Sequence, residues 1–178
     1  MEKLINFAKG KIVVTDPCYD LGIWCQKELN VKKGKYMMYV ETSDEGAWGK
    51  RNAMIQVTHI DFPYVVCDEL VGNIGVDSGQ AGMFDYDYYA KFHKGEYVDD
   101  TEEGKKWYDR VCKITCNNNC CGTIGGKGCV SESGFGDGMY EVYVKYVDDE
   151  IVAVRIIFIE DEEEDDWNED EWEEDEDC

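Results

Sequence analysis

The chain has 178 residues and a mass of 20.5 kDa, with 40 acidic side chains against 18 basic ones and a formal net charge of -22. That charge argues against a direct grip on nucleic-acid phosphates or on an anionic membrane, and no apolar run approaches the roughly 20 residues that span a bilayer. It is unevenly placed: 15 acids and no base lie from Glu160 to Cys178, so residues 1–159 hold 25 acids against 18 bases, a net of -7.

Residues 1–8 lack the apolar core and cleavage site of a secretory signal, so a cytoplasmic chain with its nine cysteines as thiols is expected. Two-residue periodicity then dominates, with 43% apolar residues to fill a core. Strands are expected at 11–15, at 35–41 and 52–60 around the Gly-, Asp- and Ser-containing loop 42–51, and at 64–71 and 73–77. A short helical turn is read at 21–29, around Ile23, Trp24 and Cys25. Asp85 suits the N-cap of a helix over 86–93, and Thr101 that of a helix over 101–109. Gly104 weakens the second helix by about 1 kcal/mol relative to Ala. Further strands are read at 111–116, 123–124, 128–133, 139–147 and 150–159. The last is the most apolar, broken only by Arg155, which predicts a central strand buried on both faces. The expected fold is mainly β (α+β): an antiparallel sheet or sandwich over 1–159, with two or three short helices. Residues 160–178 form a low-complexity acidic tail, expected to be disordered.

Three segments stand apart from ordinary strand and turn text. Thr15-Asp16-Pro17-Cys18-Tyr19 has a proline that holds Asp16 extended, so its carboxylate leaves a strand end in a fixed direction. In Gly75-Val76-Asp77-Ser78-Gly79-Gln80-Ala81-Gly82-Met83-Phe84-Asp85, glycines permit positive φ or close approach between two aspartates. In Ser131-Glu132-Ser133-Gly134-Phe135-Gly136-Asp137-Gly138-Met139-Tyr140, glycines flank and expose Asp137. Two readings are open. Asp16, Asp77, Asp85 and Asp137 converge to hold a divalent cation or to act as an acid/base pair, or each forms its own turn or cap. Asp16, Cys18, Tyr19, Asp77, Ser78, Gln80, Asp85, Ser133 and Asp137 are the candidate ligand-binding residues, with no other cofactor expected.

Cys112, Cys116, Cys120, Cys121 and Cys129 fall within 18 positions. Cys112, Cys116, Cys120 and Cys121 would be the zinc ligands if a metal sat there. Adjacent Cys120 and Cys121 make a poor knuckle, however, and neither His59 nor His93 is near in sequence. Neither histidine has a signature around it, which disfavours nucleophilic catalysis by Cys18 or Cys25. Ser78 lacks a nucleophile-elbow spacing.

Asp16-Pro17-Cys18-Tyr19, Trp24-Cys25, residues 76–85 and Ser133 to Tyr140 together resemble the bacterial and bacteriophage family catalogued as domain of unknown function 4241. The resemblance spans roughly residues 11–159 and implies relatedness and a phage or prophage origin in a bacterial cytoplasm, without an activity. The function expected first is a non-catalytic acidic binding or inhibitory protein. Its partner would be a host or defence protein with a basic surface, engaged in part by Trp167 and Trp172 in the tail. The alternatives are an aspartate-based metal-dependent hydrolase or small-ligand binder, and a structural accessory protein. The tail itself is not a nucleic-acid binder; a body at -7 excludes an anionic ligand only loosely.

Overall fold

Apolar side chains recurring every second residue build most of the fold seen in the computed structural model, which describes residues 3–95 and 97–160. The strands are β1 (Leu4–Phe7), β2 (Lys11–Thr15), β3 (Lys27–Asn30), β4 (Gly34–Asp44), β5 (Lys50–His59), β6 (Glu69–Val76), β7 (Gln80–Asp85), β8 (Cys121–Ile124), β9 (Gly128–Glu132), β10 (Gly138–Val147) and β11 (Glu150–Ile157). Two α-helices, α1 (Tyr86–Ala90) and α2 (Glu102–Thr115), lie between β7 and β8. The strands form two antiparallel sheets, ordered β1-β4-β5-β11-β10-β6 and β3-β2-β7-β9-β8. The fold is therefore mainly β. Among the described residues no helix is long and apolar enough to cross a membrane.

Alternation along β2 shows how the layers stack. Ile12 and Val14 point into the core between the sheets, with Phe7, Met38, Ile55, Ile74 and Val154. Val13 points the other way, into a second cluster made by Phe84, Tyr89, Trp107 and Val111 under the two helices. The five-stranded sheet is thus covered on both faces. β11 is the central strand expected, flanked by β5 and β10, with Ile151 to Val154 buried.

Several elements differ from expectation. Residues 111–116 are not a strand; all but Cys116, the C-cap, belong to α2. The β-branched Val111, Ile114 and Thr115 favour a strand locally, but Trp107, Val111 and Thr115 recur at four-residue spacing and bury one helical stripe. Thr101 caps the helix, accepting from Gly104 N at 3.0 Å, and Glu102 and Glu103 suit its first turn. Residues 21–29 hold turns and then β3, whose Asn30 pairs with Lys11. Of the strands read at 64–71 and 73–77, residues 64–68 lie in no strand and the rest form one, β6, with a bulge by Gly72 (φ +115°) opposite Val142 and Tyr143. β1 and β7 are additional strands. Residues 161–178 of the expected acidic tail, with Trp167 and Trp172, lie outside the described residues.

Gly104 is needed despite its helix cost. A Cβ there would sit 1.9 Å from the Val98 carbonyl oxygen and 2.6 Å from that of Phe92, both main chain. Gly104→Ala is therefore expected to destabilise the protein by about 2 kcal/mol, against the gain of about 1 kcal/mol that propensity alone would give. Urea unfolding decides the sign, and a stabilised variant would refute the packing argument.

Candidate functional site: a cleft on a carboxylate hub

The chain crosses from one sheet to the other between β6 and β7, and Asp16 holds that crossing in place. Pro17 keeps Asp16 extended at the end of β2, and the side chain is fully buried. Its Oδ1 accepts from Cys18 N at 2.8 Å and Ser78 Oγ at 2.7 Å. Its Oδ2 accepts from Asp77 N at 2.9 Å and Ser78 N at 2.7 Å. Four donors fill the acceptor positions of one carboxylate, so Asp16 fastens β2 to the turn 61 and 62 residues away. Gly79 turns the chain into β7 with φ +68°.

The third segment closes on the same turn. Ser133 N donates to Gly79 O at 3.1 Å, and Ser133 Oγ donates to Gly136 O at 2.7 Å. The Tyr140 hydroxyl lies 2.8 and 2.6 Å from the carbonyl oxygens of Ser133 and Gly136, which pins the glycine-rich loop. From below, Gln80 accepts from Thr115 Oγ1 at 2.8 Å and ties α2 to the hub. The Tyr89 hydroxyl donates to Tyr19 O at 2.5 Å, and the Tyr89 ring stacks on His93 at 3.6 Å.

Above this scaffold opens a cleft of about 270 Å³, walled by Trp24, Met139 and the hydrogen-bonded pair Tyr19–Asp77, with Cys25 and Gly75 among its lining residues. Gly75 makes room: its N–H bonds Cys25 O at 3.0 Å, and a Cβ there would stand 3.1 Å from Cys25 Cβ. Trp24 is 82% exposed and Met139 52%, so both set apolar surface in water at the cleft. The wall is therefore aromatic and soft, with an acid at one end.

Burial pushes the Cys18 thiol up, and the neighbouring Asp16 carboxylate pushes it further, so it stays protonated and is no nucleophile. Burial also raises the Tyr19 phenol, reinforced by its bond to Asp77. The His93 nitrogens face main-chain oxygens, Nδ1 at 2.9 Å from Tyr89 O and Nε2 at 3.2 Å from Pro17 O. Burial lowers the His93 pKa more than those two carbonyls raise it. The ring braces the Pro17 segment and offers no free nitrogen as a base. His59 is likewise occupied, between Lys33 O and Asp61 N.

Not every candidate residue gathers here. Asp16, Cys18, Tyr19, Asp77, Ser78, Gln80 and Ser133 do. Asp85 caps α1, accepting from Tyr88 N at 3.0 Å, and lies at the far end of β7, about 16 Å along the strand from Gln80. Asp137 is exposed on the adjoining loop. The four-aspartate cluster is thus not formed. Among the described residues no group of three or more His, Cys, Asp or Glu side chains is placed to hold a metal ion. The same holds for the thiols. Cys112 lies on α2 against Gln80, Cys116 is exposed at its C-cap, Cys120 sits in a turn at φ +52°, and Cys121 is buried at the start of β8. Eight free cysteines are described.

Sequence reasoning assigned no site role to Trp24, Gly75 or Met139. The available signal was the Trp24-Cys25 pair lying between two of the distinctive segments. No curated protein and no solved structure matches the chain. The segments that build the hub and the cleft instead fall within residues 5–156, which match the family described as protein of unknown function (DUF4241), and the chain belongs to that family.

Proposed function

We propose that this is a non-catalytic binding protein that recognises a protein partner through the Trp24–Met139 cleft, receiving a lysine or arginine side chain between the indole and the Asp77 carboxylate. The carrying observation is Trp24 itself, 82% exposed at the mouth of a cleft built on a rigid hub. Aromatic side chains set in such positions are the usual anchors of protein interfaces, and an indole face attracts a cation. The net charge of -22 adds long-range attraction to a basic surface. A hydrolytic role finds less support, because both Asp16 oxygens are already engaged by the protein and the Cys18 thiol is held protonated.

The phage or prophage origin that the sequence resemblance implies would extend the proposal to inhibition of a host or defence protein in a bacterial cytoplasm. The free thiols suit that reducing compartment. The test is capture from bacterial lysate on immobilised protein at low and high salt, repeated with Trp24→Ala. A partner should be retained at low salt and weakened at high salt. Its affinity for Trp24→Ala should fall about 30-fold, equivalent to about 2 kcal/mol, with thermal stability unchanged. Equal capture by both proteins would sink the proposal.

A further inference from the structure

The described chain stops at Glu160, and it stops beside a second cavity. Phe158 N and Ile159 N both donate to Ala53 O, at 2.7 and 3.0 Å, and Ile159 packs over Gly134. One residue before Ala53 is Asn52, a wall of a cavity of about 420 Å³ between β4, β5 and the loop before β8. Asn52 is fixed there by bonds to Ser131 Oγ at 2.9 Å and Asn119 O at 3.2 Å. Met38 and Val40 supply apolar lining, while Lys3 and Lys50 bring two ammonium groups against a single acid, Glu132.

Four of the described lysines, Lys9, Lys11, Lys32 and Lys145, are paired with carboxylates, and the rest, Lys3 and Lys50 included, are not. Both Lys3 and Lys50 are exposed. The chain that follows Glu160 offers what this cavity lacks: acids without a base, interrupted by Trp167 and Trp172.

We propose that residues 161–178 fold back onto the body and that Trp167 seats in this cavity, its flanking carboxylates meeting Lys3 and Lys50. Apolar lining takes the indole and the ammonium groups take the acids. Trp167 lies seven residues beyond Glu160, a reach of up to about 25 Å. A tether of this length gives an effective concentration on the order of mM, so even a contact of mM affinity is about half occupied. The longer tether to Trp172 lowers that concentration roughly twofold, which favours Trp167. This contact stands without the partner proposed above, and a partner more basic than the Lys3–Lys50 pair would compete for the same acids.

The test uses the full chain labelled with 5-fluorotryptophan and observed by ¹⁹F NMR, with the five tryptophan signals assigned by single Trp→Phe variants. At low salt the Trp167 signal should lie away from the free-indole position. It should collapse to that position in the double variant Lys3→Glu, Lys50→Glu and in high salt. The control Lys105→Glu, Lys106→Glu, on exposed positions of α2, should leave it displaced. The buried Trp107 signal reports that each variant is folded. A Trp167 signal already at the free position in the unmodified chain, or one displaced but indifferent to Lys3 and Lys50, overturns the proposal.

Discussion

Asp16→Ala is expected to lower the unfolding free energy by about 4 kcal/mol. The substitution strips the acceptor from the main-chain N–H groups of Cys18, Asp77 and Ser78 and from the Ser78 hydroxyl. A buried donor left without a partner costs about 1–3 kcal/mol. These donors are only part-buried, so water recovers some of the loss and the sum stays below the additive limit. Urea unfolding should show a midpoint lower by roughly 2 M for a slope near 2 kcal/mol/M. Asp16→Asn should fall between the two, because its NH₂ must face donors on at least one side. Combined with Ser78→Ala it should show coupling of roughly 1 kcal/mol, the signature of a shared network. A loss under 1 kcal/mol for Asp16→Ala would mean the turn is held by something other than this carboxylate.

Trp107→Ala should cost about 4 kcal/mol, within the range for truncating a large buried aromatic. Trp107 is fully buried, with ring centroids of His93, Phe92, Tyr89 and Phe84 at 5.0, 5.5, 5.5 and 5.6 Å, and its Nε1 donates to Tyr88 Oη at 3.3 Å. Removing it leaves a cavity beneath both helices and frees the indole's partner. Thermal unfolding should drop by roughly 8–16 °C, while Trp107→Phe should lose less than half as much. The damage should also reach the cleft. His93 and Tyr89 pack on Trp107 and brace the main chain of Pro17 and Tyr19. A drop under 4 °C would place the second cluster outside the cooperative core.

These two residues also mark how far the sequence could be read. Asp16 was legible because the following proline fixes its direction, and Asp77 and Ser78 because glycines around them announced an unusual turn. What no spacing could give was which aspartates meet. Asp85 and Asp77 look equivalent as text, yet β7 carries one to the far end of the sheet, where it caps a helix. β7 went unread because all its residues are buried, on both faces, so it shows no alternation, and its glycine reads as loop. Val111 to Cys116 failed for the opposite reason. Local β propensity was plain, and packing under Trp107 overrode it. The strands β2, β4, β5 and β11 were legible because apolar character and burial follow one another along them. Trp24 was visible as a residue type, but its exposure belongs to the assembled fold.

The hub has one more consequence, for when the cleft comes into being. Its hydrogen bonds join residues 61 and 62 positions apart and require both sheets to be in place. Contacts across such separations form only after a large loop has been closed, which places them late in folding. Neither Tyr19 nor Asp77 acquires its position from local sequence, so a partly folded chain presents Trp24 without the cleft beside it. Formation of the cleft is thereby coupled to completion of the fold, and a nascent or damaged copy lacks it.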